Sequence, residues 1–168
     1  RSYHMTAALL RAHRRGVSVR VIMDRHNWNP ERPNIDAQRL ANGLKVGNKR
    51  RAKARKSWLK RCRRSCRGRS GIPHTKLLLF SKVNTKRKGK IRQVPWVSMY
   101  GSYNATELGA TIQWNDIYNF VGARKRYEFF DRVFRQMAND RNLRQSYLTY
   151  GEKTRDVNQV YPYKGRGA

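Results

Sequence analysis

Apolar residues along this chain follow two rhythms, one helical and one alternating, and their boundaries predict an α/β architecture. Met5, Leu9 and Ala12 recur at i, i+4 and i+7, with Arg11, Arg14 and Arg15 on other faces. That spacing predicts an amphipathic helix ended at Gly16. Val17, Val19, Val21 and Met23 then alternate with Ser18 and Arg20, which predicts a buried strand. Helix, glycine and strand read as the second half of a β-α-β unit. Its first strand is expected just upstream of Arg1, so the chain reads as an excised segment. Asp36 to Leu44 reads as a short helix capped by Asn34 and ended near Gly43, and Ser57 to Cys62 as a strand.

Leu77 to Phe80 and Val97 to Tyr100 are apolar runs ended by small or polar residues, as adjacent strands are. Lys82 to Arg92 is then the hairpin between them. Ala105 to Ile112 is expected to be a short helix or turn. Asp116 to Val121 is a further strand, too apolar for an exposed edge. Ala123 to Asp140 is a long helix with Tyr127, Phe130, Val133, Phe134 and Met137 on its apolar face. Past Asp140 the pattern turns polar. Residues 1–140 are therefore expected to form one domain and residues 141–168 a C-terminal connector.

Charge adds a partner class. Lys and Arg number 39 against 10 Asp and Glu, a formal charge of +29, and no carboxylate occurs from Ala37 to Thr106. Such a field draws polyanions, either nucleic acid or an anionic membrane surface; alternatively it serves solubility. The densest run, Lys49 to Arg69, is an electrostatic guide or an exposed linker. No apolar run approaches the roughly 20 residues that span a bilayer, so no transmembrane segment is predicted.

The candidate chemistry lies at the ends of the two central strands. His74 and Lys76 are two apart, so on a strand they leave the same face, and Ser102 and Asn104 repeat that spacing. If the strands pair, an imidazole, an ammonium, a hydroxyl and a carboxamide converge. The set suits a phosphate diester: the imidazole attacks phosphorus, and the other groups hold the non-bridging oxygens. In the loop from Asp24 to Pro30, His26 either touches substrate or makes a structural hydrogen bond. Trp28 either walls the pocket or packs.

His74-x-Lys76 followed by Gly101-Ser102-x-Asn104 resembles the HKD motif of the phospholipase D superfamily of lipases, nucleases and related phosphodiesterases. The resemblance runs from the first helix to about Asp140. It implies a mixed β-sheet flanked by helices, forming one half of a two-motif enzyme. One imidazole becomes a phosphohistidine, and a second, from a facing motif, protonates the leaving alcohol. The second motif would come from a later half of the same chain or from a homodimer mate. Asp116, within Gln113-Trp114-Asn115-Asp116, is the implied carboxylate that orients the histidine, with Gly101 and Asn115 beside substrate. No metal or other cofactor is implied. The family pattern has Asp five residues after the Lys, where this chain has Ser81; the lost carboxylate is either structural or a sign that this half only binds.

The run from Cys62-Arg-Arg-Ser-Cys66-Arg-Gly to Asn115-Asp116 is also similar to secreted actinobacterial members of the superfamily. That similarity favours a Cys62–Cys66 disulfide and an extracellular location over two free thiols. The expected activity is a phosphodiester hydrolase acting on phospholipid or nucleic acid. The alternative is a non-catalytic polyanion binder that keeps the fold. A membrane-surface adaptor ranks last, because no apolar face accompanies the basic run.

Overall fold

A computed structural model describes residues 2–69, 71–141, 148–151 and 158–160. They fall into two compact units: Arg1–Arg63 with Asn104–Trp114, and Arg64–Tyr103 with Asn115–Ala168. The first holds a parallel strand pair and the second antiparallel sheets, so the class is mixed α/β as expected.

In the first unit, α1 (Tyr3–Arg14) begins at Ser2, whose side chain accepts the Met5 N–H, and α2 (Ile35–Gly43) begins at Asn34, which caps Ala37 in the same way. Each cap satisfies an N–H that the helix cannot bond internally. β1 (Arg20–Asp24) and β2 (Trp58–Cys62) pair in parallel, Arg20 opposite Trp58 through Asp24 opposite Cys62. The expected strand start at Val17 is not observed: Val17 is exposed, and the ladder opens at Arg20. Leu10, Val19, Leu40 and Leu44 form the core, with Leu9, Ala12, Val21 and Leu59 packed against it. At the α1–α2 crossing, a Cβ built on Gly43 would collide with the Leu10 side chain, so this glycine permits the close approach.

His13 ties this unit together. Its Nε2 donates to the Val46 carbonyl at 2.8 Å, which leaves Nδ1 to accept from Ser57 Oγ at 2.8 Å. Ser57 Oγ also accepts the Val19 N–H at 2.9 Å. Arg51 adds Nη2 to the His13 carbonyl at 2.6 Å and Nη1 to the Val17 carbonyl at 2.9 Å. Part of the basic run is therefore structural. α3 (Glu107–Thr111), with Thr106 capping the Gly109 N–H, belongs to this unit as well.

In the second unit, β3 (Lys76–Arg87) and β4 (Lys90–Gly101) form one long antiparallel hairpin turned at Lys88-Gly89. Both turn residues have positive φ, 49° and 75°, as a type I′ turn requires. The stretch Lys82 to Arg92, read as the hairpin between the two apolar runs, is that hairpin, with its strands paired up to the turn. The ladder skips Ser81 opposite Trp96, where Trp96 takes φ 52°, a costly value for a bulky residue. Among the described residues β5 (Ile117–Phe120) pairs with β4 alone, Ser98 opposite Phe120 through Gly101 opposite Ile117. It is an edge strand, and Ile117 (45 %) and Tyr118 (57 %) are exposed, so the expectation of a covered strand fails.

Tyr100, Ser98 and Phe120 share the sheet face that carries α4 (Arg124–Asn139). Tyr100 stacks against Phe120 (5.6 Å) and tilts onto Phe130 (4.8 Å). The buried stripe of α4 is Arg126, Phe129, Phe130, Val133 and Met137. Relative to the expected face it gains Arg126 and Phe129 and leaves Tyr127 and Phe134 half-buried. The Arg126 guanidinium lies 3.7 Å above the Phe120 ring, and its Nη1 donates to Tyr100 Oη at 3.5 Å, so the charge is buried against π-faces and a hydroxyl. Within the expected connector, β6 (Leu148–Tyr150) pairs with β7 (Asn158–Val160), and the Tyr150 ring meets Phe129 at 5.8 Å. Most of the other residues past Arg141 lie outside the described residues.

Candidate active site

Three strand ends in the second unit make one rim. Lys76, the first residue of β3, stands opposite Gly101, the last of β4, and Gly101 stands opposite Ile117, the first of β5. Lys76, Ser102, Asn115 and Asp116 are thereby gathered, with His74 two residues ahead of the strand. His74 is exposed and precedes the ladder, so the common-face argument, which assumed both residues within a strand, does not set its direction. Lys76 bends back instead, its Nζ donating to the His74 carbonyl at 2.9 Å. Partial burial lowers the Lys76 pKa below the ordinary lysine value.

Ser102 serves the rim itself. Its N–H donates to the Asp116 carbonyl at 3.0 Å, and its Oγ accepts the Asp116 N–H at 3.0 Å. The same hydroxyl lies 3.4 Å from Asn115 Oδ1 and donates to it. The hydroxyl expected to hold a phosphoryl oxygen is therefore engaged with the chain entering β5. Gly101 is required for the same reason: a Cβ there would fall inside the Asp116 carbonyl oxygen. The Asp116 carboxylate is left exposed, and among the described residues no hydrogen bond joins it to His74.

Asn104, His26 and Trp28 belong to the first unit. Asn104 lies beyond the end of β4, where its carbonyl accepts the Thr106 N–H at 2.7 Å. The His26 ring is held by Asp24, Nδ1 to Oδ1 at 2.8 Å, and the same oxygen accepts the His26 backbone N–H at 3.0 Å. That is the structural hydrogen bond weighed from the sequence, although the ring stays largely exposed. Trp28 is covered on one face by the Arg61 guanidinium, 5.1 Å from the ring centroid.

Ser81 lies well away from the rim. Five residues along β3 from Lys76 carry it roughly 17 Å, so a carboxylate there would stand out of contact range of the rim. Both cysteines are oxidised, closing Cys62 to Cys66. Arg64 and Cys66 take positive φ in this tight loop, 51° and 61°. Beyond it Arg67 is buried and forks onto Gln136 Oε1 through Nε (2.9 Å) and Nη2 (2.7 Å); desolvation lowers its pKa. Sequence reading passed over Arg67 and His13, whose charge or polarity resembles that of their exposed neighbours. His13 did carry one signal, three residues after Leu10 on the inward face of α1.

A parallel strand pair with its connecting helix in one unit and, in the other, an antiparallel sheet whose rim carries Lys76 and Gly101-Ser102 fit a phospholipase D-like fold, and the chain belongs to the phospholipase D superfamily. The matching family is the one described as "Cardiolipin synthase, PLD-like domain", over residues 1–138. Among curated proteins and solved structures, none matches the chain.

Proposed function

We propose that this chain supplies one active half of a phosphodiesterase that works through a phosphohistidine. The supporting observation is the rim: the strand register brings Lys76, Gly101 and Ser102, Asn115 and Asp116 to one edge, with His74 at its entrance. The neutral His74 imidazole attacks phosphorus. A P–N bond forms as the P–O bond to the leaving alcohol breaks, and a second, protonated imidazole gives that alcohol its proton. Water, deprotonated by the second imidazole, then displaces His74 and completes hydrolysis. Lys76 balances charge on the pentacoordinate phosphorus. Asp116 fixes the imidazole tautomer once substrate draws the two together.

In this reading the second histidine comes from another motif, in a second copy of this chain or elsewhere in the same protein. Secretion fits the oxidised Cys62–Cys66 pair. Among the described residues, no helix is long and apolar enough to cross a membrane. The substrate is a phosphodiester of phospholipid or nucleic acid, and the family's description keeps the lipid arm in the test.

The experiment incubates the chain with phosphatidylcholine vesicles and, separately, with plasmid DNA, both in EDTA. Turnover in EDTA, lost in His74→Ala, and an acid-labile phosphoryl adduct on His74 are the expected results. Turnover should rise with the square of chain concentration while a second copy supplies the other imidazole. Abolition by EDTA, or full activity in His74→Ala, overturns the proposal.

A further inference from the structure

The long hairpin outruns its sheet. β5 covers β4 only from Ser98 to Gly101, so Lys82–Arg87 and Lys90–Pro95 continue as a two-stranded ribbon, about 20 Å long at 3.3 Å per residue. Lys82, Lys86, Lys88, Lys90 and Arg92 are all exposed on it, and the ribbon carries no carboxylate. The register sets Asn84 directly opposite Gln93, both exposed, on the ribbon face that also presents Lys82 and Lys86. The ribbon therefore offers two carboxamides at its centre with ammonium groups before and behind them.

We infer that this ribbon docks into the major groove of B-form duplex DNA, with the lysines on phosphates and the Asn84–Gln93 pair toward base edges. A two-stranded ribbon fits that groove, which is about 12 Å wide, and carboxamides are suited to the adenine edge there. The deep, narrow major groove of A-form RNA admits no such ribbon. Single strands are held by aromatic platforms, and residues 82–94 contain no aromatic side chain. A membrane surface is disfavoured by the tip, where Lys88-Gly89-Lys90 is followed by one strongly exposed apolar residue, Ile91. The inference names the substrate class for the site proposed above. It rests on that reading for the chemistry but not for the binding.

Binding to a 30-base-pair duplex is measured by fluorescence anisotropy against salt, in the parent chain and in His74→Ala, so that turnover does not enter. Neutralising Lys86, Lys88, Lys90 and Arg92 to Gln should weaken binding at least tenfold at 100 mM salt. It should also lower the slope of log affinity against log salt by about 3.6, near 0.9 for each of the four phosphates no longer neutralised. The Lys86→Arg, Lys88→Arg, Lys90→Arg variant should bind like the parent, which separates charge from damage to the turn. Asn84→Ala with Gln93→Ala should lower affinity roughly threefold or more at unchanged slope, because only base-edge hydrogen bonds are removed. A control with Lys49, Lys53, Arg55 and Lys56 changed to Gln should lose less than the ribbon variant. Equal losses in the ribbon and control variants overturn the inference. So does unchanged affinity in the carboxamide variant, or a ribbon variant that loses phosphatidylglycerol vesicles but keeps duplex. Duplex binding that depends on the ribbon, with no cleavage by the parent, would sustain this inference and count against the catalytic proposal.

Discussion

Ser102 and Asp116 exchange two hydrogen bonds, N–H to carbonyl and N–H to Oγ, each 3.0 Å long. This double link joins the end of β4 to the start of β5 just where Gly101 lets the two backbones close. Its consequence is positional: Asn115 and Asp116 are delivered to the rim that Lys76 occupies. A sequence motif that reads as a set of substrate ligands is, in its Gly-Ser part, a device for bringing chain segments together.

Ser102→Ala keeps the backbone half of the link and strands the Asp116 N–H. The expected cost is about 1 kcal/mol of unfolding free energy, measured by urea denaturation, with a larger relative loss of turnover. Gly101→Ala must move β5 and should cost more than Ser102→Ala on both scales. A Gly101→Ala chain with parental stability and turnover would contradict this account.

His13 and Ser57 make a comparable tie in the first unit. Ser57→Ala strands the Val19 N–H and His13 Nδ1 together, both buried or nearly so. The expected destabilisation is about 2 kcal/mol, seen as a lower urea midpoint at unchanged slope. Since the change lies in no proposed catalytic contact, kcat in the cold should stay near the parent's.

Most of the elements were legible because their signals are local. Asn34 and Gly43 bracket α2, the apolar runs of the central hairpin announce β3 and β4, and α4 shows its 3.6-residue period plainly. Details set by tertiary partners were not. Arg126 lies on the inward face of α4 because Phe120 and Tyr100 receive its guanidinium, which no pattern in residues 123–140 announces. The β3–β4 ladder continues through a lysine-rich stretch because a Lys-Gly turn with two positive φ values closes it, and the apolar runs alone did not announce how far the pairing extends. Of the convergence expected among His74, Lys76, Ser102 and Asn104, only the meeting of the Lys76 and Ser102 strand ends at the rim was readable; His74 precedes the ladder and Asn104 belongs to the first unit. What Ser102 does there was not readable, since a hydroxyl's partner depends on which backbone passes beside it.

Ser98 offers a stability test without chemistry. It is fully buried beneath α4, and its Oγ has no hydrogen-bond partner among the described residues. An unsatisfied buried hydroxyl costs desolvation with nothing returned. Ser98→Ala should therefore raise unfolding free energy by about 1 kcal/mol, while Ser98→Val, adding volume to a filled site, should lower it. A drop in the alanine variant would mean that the hydroxyl is bonded in solution.

Lys76 gives the pH dependence its direction. Desolvation lowers its pKa, so the cation is lost at a lower pH than an ordinary lysine would lose it, below about 10.4. An anionic phosphodiester binds the protonated form, and affinity should fall as pH climbs through that lowered value. Lys76→Arg keeps its charge across the whole range, so the alkaline rise in KM should disappear in this variant even if kcat drops from the altered donor geometry. Lys76→Met should show weak binding at every pH and no alkaline limb of its own. If parent and arginine variant lose affinity along the same alkaline curve, the titrating group lies elsewhere, and the role given to Lys76 at the rim falls with it.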